Sequence, residues 1–392
     1  MKWFREPRCS FRVRPVCRGI LRLHQGCQVP FRTSRQNVGL LLSRCSGQGP
    51  HLALMGEPRG FSRVSAGFSS YDVEFRLNME QKFEIIKCHG SANDFIMIDV
   101  AQNPELQSID WSAFARVACD RESGIGSDGL LLVVKNKEGI YGMDMLNPDG
   151  THAEMCGNGI RCVARLAYER GYLDNGVLFS SDRLFRIGRE EALSEGIDTF
   201  SVEIAIDLTS PSFGFAVDNK PFIADKIEAL DPELRFTALN LGNPHIVAEV
   251  DRIDMALLES LGERVKSLKA EFPDGINVSL YECRNQREIF VATYERGAGI
   301  TMSCGTAMTA SATAAALLKR TAVGERINVK NRGGKVFCTT HLDGDKPVTK
   351  LAGNATFVWW GSASFEGGVL RYNIETNKGE DDMWHKFVAT LK

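Results

Sequence analysis

The sequence predicts an α+β fold, richer in sheet than in helix and built twice. From Lys82 onward, short apolar runs, several of them β-branched, alternate with turn punctuation. Four stretches with helical period are set among them. A Cys-Gly step leading straight into an apolar helix occurs twice, at Cys156-Gly157 and at Cys304-Gly305, once in each half of the body.

Taken in order, strands are expected at Phe83–Ile86, Phe95–Val100, Leu130–Val134, Val202–Ile206, Ile246–Val250, Ile289–Ala292 and Phe357–Trp360. Helices are expected at Trp111–Cys119, Arg161–Glu169, Ile253–Leu261 and Ala307–Leu318. A duplicated architecture, with two like domains facing each other across a cleft, accounts for the paired Cys-Gly steps. Each half then supplies one thiol.

A length of 392 residues fits two domains, and 43% hydrophobic with 24% charged residues suits a globular protein with a sizeable core. A formal net charge of −2 gives no electrostatic reason to invoke nucleic acid or an anionic membrane. No run approaches the roughly 18–20 apolar residues a membrane helix needs. The 11 cysteines include no C-x-x-C pair, and their odd number in so long a chain argues for free thiols in a reducing compartment.

The opening segment has another character. Up to Met55 its only acid is Glu6, against Lys2 and nine arginines. Arg-rich, acid-poor composition resembles an organellar transit peptide; the alternative is that translation begins at Met79. On either reading residues 1–78 stand outside the fold and are expected to be disordered. The body is then cytoplasmic, or in an organelle's stroma or matrix if the leader is a true transit peptide.

A cysteine at a helix N-terminus lies among unpaired N–H groups at the positive end of the macrodipole. Both favour thiolate over thiol, so its pKa is expected to fall. The adjacent Gly lets backbone approach a ligand, and the same N–H groups suit a carboxylate. A single Cys-Gly step is ordinary core; two, each opening a helix and flanked by polar residues, point to a site. Inverting an amino-acid α-carbon without a cofactor needs this set: a thiolate on one face, a thiol on the other, and donors around the carboxylate. No lysine stands in a context suggesting a pyridoxal Schiff base.

Six segments, in order, resemble the signatures of diaminopimelate epimerases: KCHGSANDF (87–95), DRESGIGSDGLLL (120–132), NPDGTHAEMCGNGIRC (147–162), GNPHIV (242–247), FPDGINV (272–278) and YERGAGITMSCGT (294–306). The resemblance runs from about Lys82 to Phe365. It implies two pseudo-symmetric domains, each a curved, mainly antiparallel sheet wrapped around a central helix, with the active site in the cleft between them. It places the N-terminal domain at 80–208 plus 356–374, the C-terminal domain at 209–355, and a tail at 375–392. It implies Cys156 and Cys304 as the acid/base pair, and Asn93, Asn147, Asn243, Asn277, Glu295 and Arg296 as substrate-binding groups. Gly157, Asn158, Gly305 and Thr306 match the cradle of the reacting carboxylate, and His245 and Glu295 match groups that adjust the thiols. No cofactor or metal is expected; the partner is a small amino acid, and a homodimer is in keeping with the family. The residue types agree with this. Arg296 suits a second carboxylate and Glu295 an ammonium, while Asn side chains both donate and accept.

Several positions depart from the family pattern: Ala92 stands for a usual Gly, Ala292 for Arg, Ile300 for Glu and Ala307 for Gly. Ser180–Gly196 is longer and more charged than usual, and the closing WWGSASFEGG keeps only an outline. These mark a divergent branch and bear on the exact substrate. The alternatives are a same-fold racemase of histidine, proline or hydroxyproline, and an inactive homologue that only binds. Gly124 to Gly129 satisfies G-x-G-x-x-G, but a strand-like run follows where a helix should open, so no dinucleotide site is assigned. Asn277 and Asn354 begin glycosylation sequons, with nothing else arguing for secretion.

Overall fold

A computed structural model describes residues 29–33, 36–43, 51–55 and 81–391, apart from 154, 174–175, 210–212, 216–219 and 345. Contacts divide the chain into two units, Met1–Met79 and Glu80–Lys392. In the first, Val29–Thr33, Gln36–Ser43 and His51–Met55 form a three-stranded antiparallel meander. Backbone pairing over these residues departs from the expectation of a leader without structure; the rest of 1–78 lies outside the described residues.

The second unit is the predicted α+β body, and its duplication is visible strand by strand. In the first half, Lys82–Gly90 pairs antiparallel with Asn93–Asp99, which runs parallel to Gly129–Lys135. That strand pairs antiparallel with Tyr141–Leu146, which is parallel to Val177–Ser180, and the ladder ends on Arg183–Glu190. The second half repeats every step. Asp231–Asn240 is antiparallel to Pro244–Glu249, which is parallel to Asn277–Asn285. Then Glu288–Glu295 follows antiparallel, Arg326–Asn331 parallel to it, and Gly334–Asp343 antiparallel. Thr199–Ala205 joins the halves, pairing with both Arg183–Glu190 and Lys346–Asn354. All seven expected strands and all four expected helices lie in this body, several of them longer than expected: the strand expected at Phe357–Trp360 continues to Glu366, and the helix expected at Arg161–Glu169 begins at Gly157.

The helices are α1 (Trp111–Ala118), α2 (Gly157–Glu169), α3 (Met255–Val265), α4 (Gly305–Leu317) and α5 (Glu380–Ala389). Helices α1 and α3 occupy matching crossovers, each N-capped by an aspartate, Asp110 or Asp254. Helices α2 and α4 are the two central ones. Residues Gly157–Ala167 of α2 and Gly305–Ala316 of α4 are all buried, as expected of a helix enclosed on every side. The sequence of α4, GTAMTASATAAAL, provides for this with small side chains, and Thr309 and Thr313 return their hydroxyls to the carbonyls of Gly305 and Thr309 at 2.9 and 2.8 Å. One continuous apolar core takes in both helices, from Ile160 and Leu166 to Met308 and Ala315. None of the helices among the described residues is long and apolar enough to cross a membrane.

The tail is a folded element. After the antiparallel pair Thr356–Glu366 and Val369–Thr376, α5 docks across the body. Trp384, 1% exposed, packs with Leu193, Ile197, Phe337 and Val388. Glu380 accepts from Arg165 Nη2 at 2.9 Å and from the Phe357 N–H at 3.0 Å. The lengthened segment Ser180–Gly196 and the tail are therefore one feature: the first supplies the apolar seat, including Gly196, where a methyl group would lie 2.5 Å from Met383 Sδ. Trp384→Ala is expected to lower unfolding free energy by about 3–5 kcal/mol, the cost of emptying a buried aromatic site, read as a shift in the urea midpoint with unchanged slope.

Candidate active site

The two Cys-Gly steps occupy the N-cap positions of the two central helices. Cys156 has φ −133° and ψ 108°, Cys304 φ −124° and ψ 112°, so the pseudo-symmetry extends to backbone conformation. The following glycines meet. A methyl group on Gly157 would come within 3.8 Å of the Gly305 carbonyl carbon, and one on Gly305 within 2.9 Å of Asn158 Oδ1. A side chain at Gly305 would displace the Asn158 amide, and one at Gly157 would crowd Leu351, whose Cδ2 lies 3.1 Å from the position of its methyl group.

Around Cys156, the Gly159 N–H points at Sγ at 3.4 Å, and Sγ lies 3.6 Å from Asn93 Oδ1. Asn158 Nδ2 donates to the same Asn93 oxygen at 3.2 Å. Asn93 is turned this way by Asp128, which accepts from Asn93 Nδ2 at 2.7 Å and is itself held by Arg121 at 2.7 Å. Asp128 and Arg121 were not among the residues singled out in the sequence, although both stand in the DRESGIGSDG segment. The loop carrying Asn93 includes Ser91 and Ala92 at φ 55° and 62°. Ala92, where the family usually has Gly, thus holds a left-handed backbone with a Cβ.

Around Cys304, Thr306 is the hub. Its Oγ1 is 3.4 Å from Cys304 Sγ, 3.2 Å from Asn243 Nδ2 and 3.0 Å from His245 Nε2. His245 Nε2 is also 3.1 Å from Asn243 Oδ1, which only accepts, so Nε2 carries the proton. Thr306 then receives from both neighbours, which leaves its own hydrogen for the Cys304 sulfur. His245 reaches the thiol through Thr306 rather than directly. Glu295 bonds Cys304 and accepts from Thr301, and the Cys156 sulfur also feels its charge.

Three of the expected substrate groups serve other contacts here. Asn277 donates to Pro244 O at 3.1 Å and accepts from the Arg296 N–H at 2.9 Å, tying the strand ends that carry His245 and Arg296. Arg296 is exposed, with Nη1 on Asp274 O at 2.7 Å. Asn147 lies in the turn after Tyr141–Leu146, its amide on Thr151 Oγ1 at 3.0 Å; the structure gives it no contact with either thiol cluster.

The thiols run against the expected fall in pKa. Burial pushes Cys156 up to about 11, outweighing the opposing N–H groups of Gly159 and Asn158. Cys304 is raised well above its ordinary value, first by burial and then by the Glu295 charge, with Thr306 and the Ala307 N–H opposing. Desolvation inside a closed joint exceeds the pull of a helix end. Burial likewise raises Glu295 and drops His245 to about 3, with Arg296 adding to the latter shift.

Arg161, not singled out in the sequence, is buried beside this joint. It is 0% exposed and donates to Gly157 O at 2.9 Å, Asn158 Oδ1 at 3.0 Å, Ser91 Oγ at 3.2 Å and Asn354 O at 3.3 Å. Asn354 of the second sequon is 0% exposed and Asn277 of the first 4%, so both amides belong to the interior. Among the described residues no three His, Cys, Asp or Glu side chains converge to hold a metal ion, and all seven cysteines are free thiols.

The sequence matches the family model described as diaminopimelate epimerase over residues 85–181 and 237–358. It is 35% identical to the diaminopimelate epimerase of Clostridium acetobutylicum, covering 77% of this chain and 92% of that protein. It is equally 35% identical to that of Listeria innocua, covering 78% and 96%. A solved hydroxyproline epimerase from Agrobacterium vitis shares the fold at TM-score 0.51 and 15% identity, over 74% of this chain and 95% of that one. A PhzF-family protein of Bacillus anthracis does so at TM-score 0.50 and 16% identity, over 72% and 99%. The matched residues leave out Leu193 and Ile197 of the seat of α5, and α5 itself.

Two measurements check this description. Ala92→Gly is expected to raise stability by about 0.5–1 kcal/mol, since Gly removes the left-handed penalty at some entropic cost. The folded His245 does not take up the proton that its unfolded counterpart binds below about pH 6.5, so stability falls as pH drops from there toward 3, by up to about 1.4 kcal/mol per unit. Urea midpoints of His245→Gln should decline less steeply over that range than those of the native chain.

Proposed function

Because the chain belongs to the diaminopimelate epimerase family, we propose that it interconverts LL- and meso-diaminopimelate by moving the α-proton between Cys156 and Cys304, in the service of lysine biosynthesis. The observation that carries this is the meeting of Gly157 and Gly305, which sets two N-capping cysteines, one from each half, at a single joint.

The step balances without a cofactor. The Cys156 thiolate takes the proton as the Cα–H bond breaks, and the electron pair left on Cα spreads into the carboxylate. The N–H groups at the starts of α2 and α4, with Asn158 and Thr306, stabilise that charge. The Cys304 S–H gives its proton to the opposite face and becomes thiolate. An α-proton is weakly acidic, so the raised thiol pKa values have a use: a thiolate of high pKa is the stronger base. Arg296 binds the distal carboxylate and Glu295 the ammonium, with Asn93, Asn147, Asn243 and Asn277 as further polar contacts. On this reading the protein works as a homodimer in the cytoplasm, or in an organelle if residues 1–78 are a transit peptide.

In D2O under reducing conditions, LL-diaminopimelate should gain α-deuterium and yield the meso form. Exchange with proline, hydroxyproline or histidine but not with diaminopimelate would keep the fold and overturn the substrate. Cys156→Ala and Cys304→Ala should each lose at least about 10³-fold in kcat; near-native turnover in the double variant would remove the two-thiol mechanism. Arg296→Lys, which loses the bidentate fork, should raise KM about tenfold or more with less change in kcat.

A further inference from the structure

The two thiols sit in near-identical backbones but in unequal charge. Five residues after Cys156 stands Arg161; five after Cys304 stands Thr309. Each donates to the carbonyl of the glycine next to its cysteine, Arg161 Nη1 to Gly157 O and Thr309 Oγ1 to Gly305 O, both at 2.9 Å. The pseudo-symmetric position thus does one geometric job with a cation on one side and a neutral hydroxyl on the other.

The space for that cation is left by glycines on two strands. A methyl group on Gly90 would lie 2.9 Å from Arg161 Nη2, and one on Gly353 3.0 Å from Cζ and Nε. The acceptors it finds there are all neutral: two backbone carbonyls, a hydroxyl and an amide oxygen. A fully buried guanidinium would ordinarily be paired with a carboxylate. Here its field acts on sulfurs, those of Cys162, Cys156 and Cys338. The carboxylate of the joint, Glu295, lies instead on the Cys304 side and bonds that thiol.

We propose that Arg161 is a positioning residue that makes Cys156 the more acidic of the two thiols, while Glu295 holds Cys304 in its protonated form. The same guanidinium fixes Asn158 and Gly157, so it also holds half of the carboxylate cradle in place. The direction of proton transfer rests on the two-thiol reading above; the acidity order does not. The charged and titratable groups facing this joint are Glu295, which raises Cys156, and Arg161, which opposes it there, and Glu295 alone at Cys304. Behind them, Asp128 acts on Glu295, and Arg296 on His245, which lies beyond Thr306.

The test follows alkylation of each cysteine with iodoacetamide against pH, resolved by peptide mass spectrometry, on the whole folded chain. Midpoints are compared, because limited access of the reagent to a thiol scales the rate without moving the midpoint. In the native chain the Cys156 midpoint should lie below that of Cys304; the reverse order overturns the proposal. In Arg161→Thr, which copies the Thr309 side, the Cys156 midpoint should rise by about one pH unit or more, making its alkylation about tenfold slower at a fixed pH below it, with Cys304 unmoved. Arg161→Lys keeps the charge and loses the fork, so it should hold the Cys156 midpoint while lowering kcat. A Lys variant shifted as far as Thr overturns the charge role, as do equal shifts at both thiols. If Arg161→Thr does not fold, the native order and the Lys variant still decide. Loss of deuterium exchange with a preserved acidity order would remove the proposed reaction and leave this assignment standing.

Discussion

The close approach of Gly157 and Gly305 is the constraint on which the rest of the site depends. Two helices that begin at one joint bring two sets of unpaired N–H groups and two N-capping sulfurs into one small volume. Ends of like polarity facing each other would repel if nothing answered them. The answers present are acceptors and acids: Asn93 Oδ1 and Asn158 Oδ1 on one side, Glu295 on the other. A substrate carboxylate completes the same balance. Recognition of an amino acid and tolerance of this otherwise unfavourable meeting are thus one piece of electrostatics.

Because the joint is buried, the thiols acquire the character of strong bases held in reserve. The helix ends lower thiol pKa and the apolar surroundings raise it, and in this chain burial wins at both sulfurs. The groups that differ between the halves then matter more than those that match. Arg161 against Thr309, and Asn158 against Thr306, are substitutions within a repeated frame, and they turn a symmetric scaffold into a directional one.

Much of this was legible in the residues. Strands announced themselves by β-branched runs, and the two Cys-Gly steps by their repetition and by the glycines, whose lack of side chain the joint requires. What stayed hidden has physical reasons. Arg161 falls within an amphipathic pattern in which an arginine ordinarily faces solvent; only the fold shows Gly90 and Gly353 making room for it. Asn354 reads as a sequon because its burial depends on strands far away in sequence. The direction of the thiol shifts depends on desolvation, which motif spacing does not encode. The tail has few large apolar residues, so Trp384 gave no helix signal without the seat at Leu193 and Ile197. Ala292 and Ile300, two of the departures from the family pattern, lie in or against the apolar cluster of the second half, a placement that the sequence did not indicate.

Strand Thr356–Glu366 pairs with Lys82–Gly90, and α5 then closes over Arg165 and Trp384's seat in the first half. The sheet that begins the body therefore takes its edge from residues that follow the second half in sequence. During synthesis the first half emerges with an unpaired strand edge and an unfilled apolar seat, and it stays so until the second half has been translated. Folding of this duplicated protein is in that sense a single late event, which makes the nascent chain's exposure to aggregation a property of its topology.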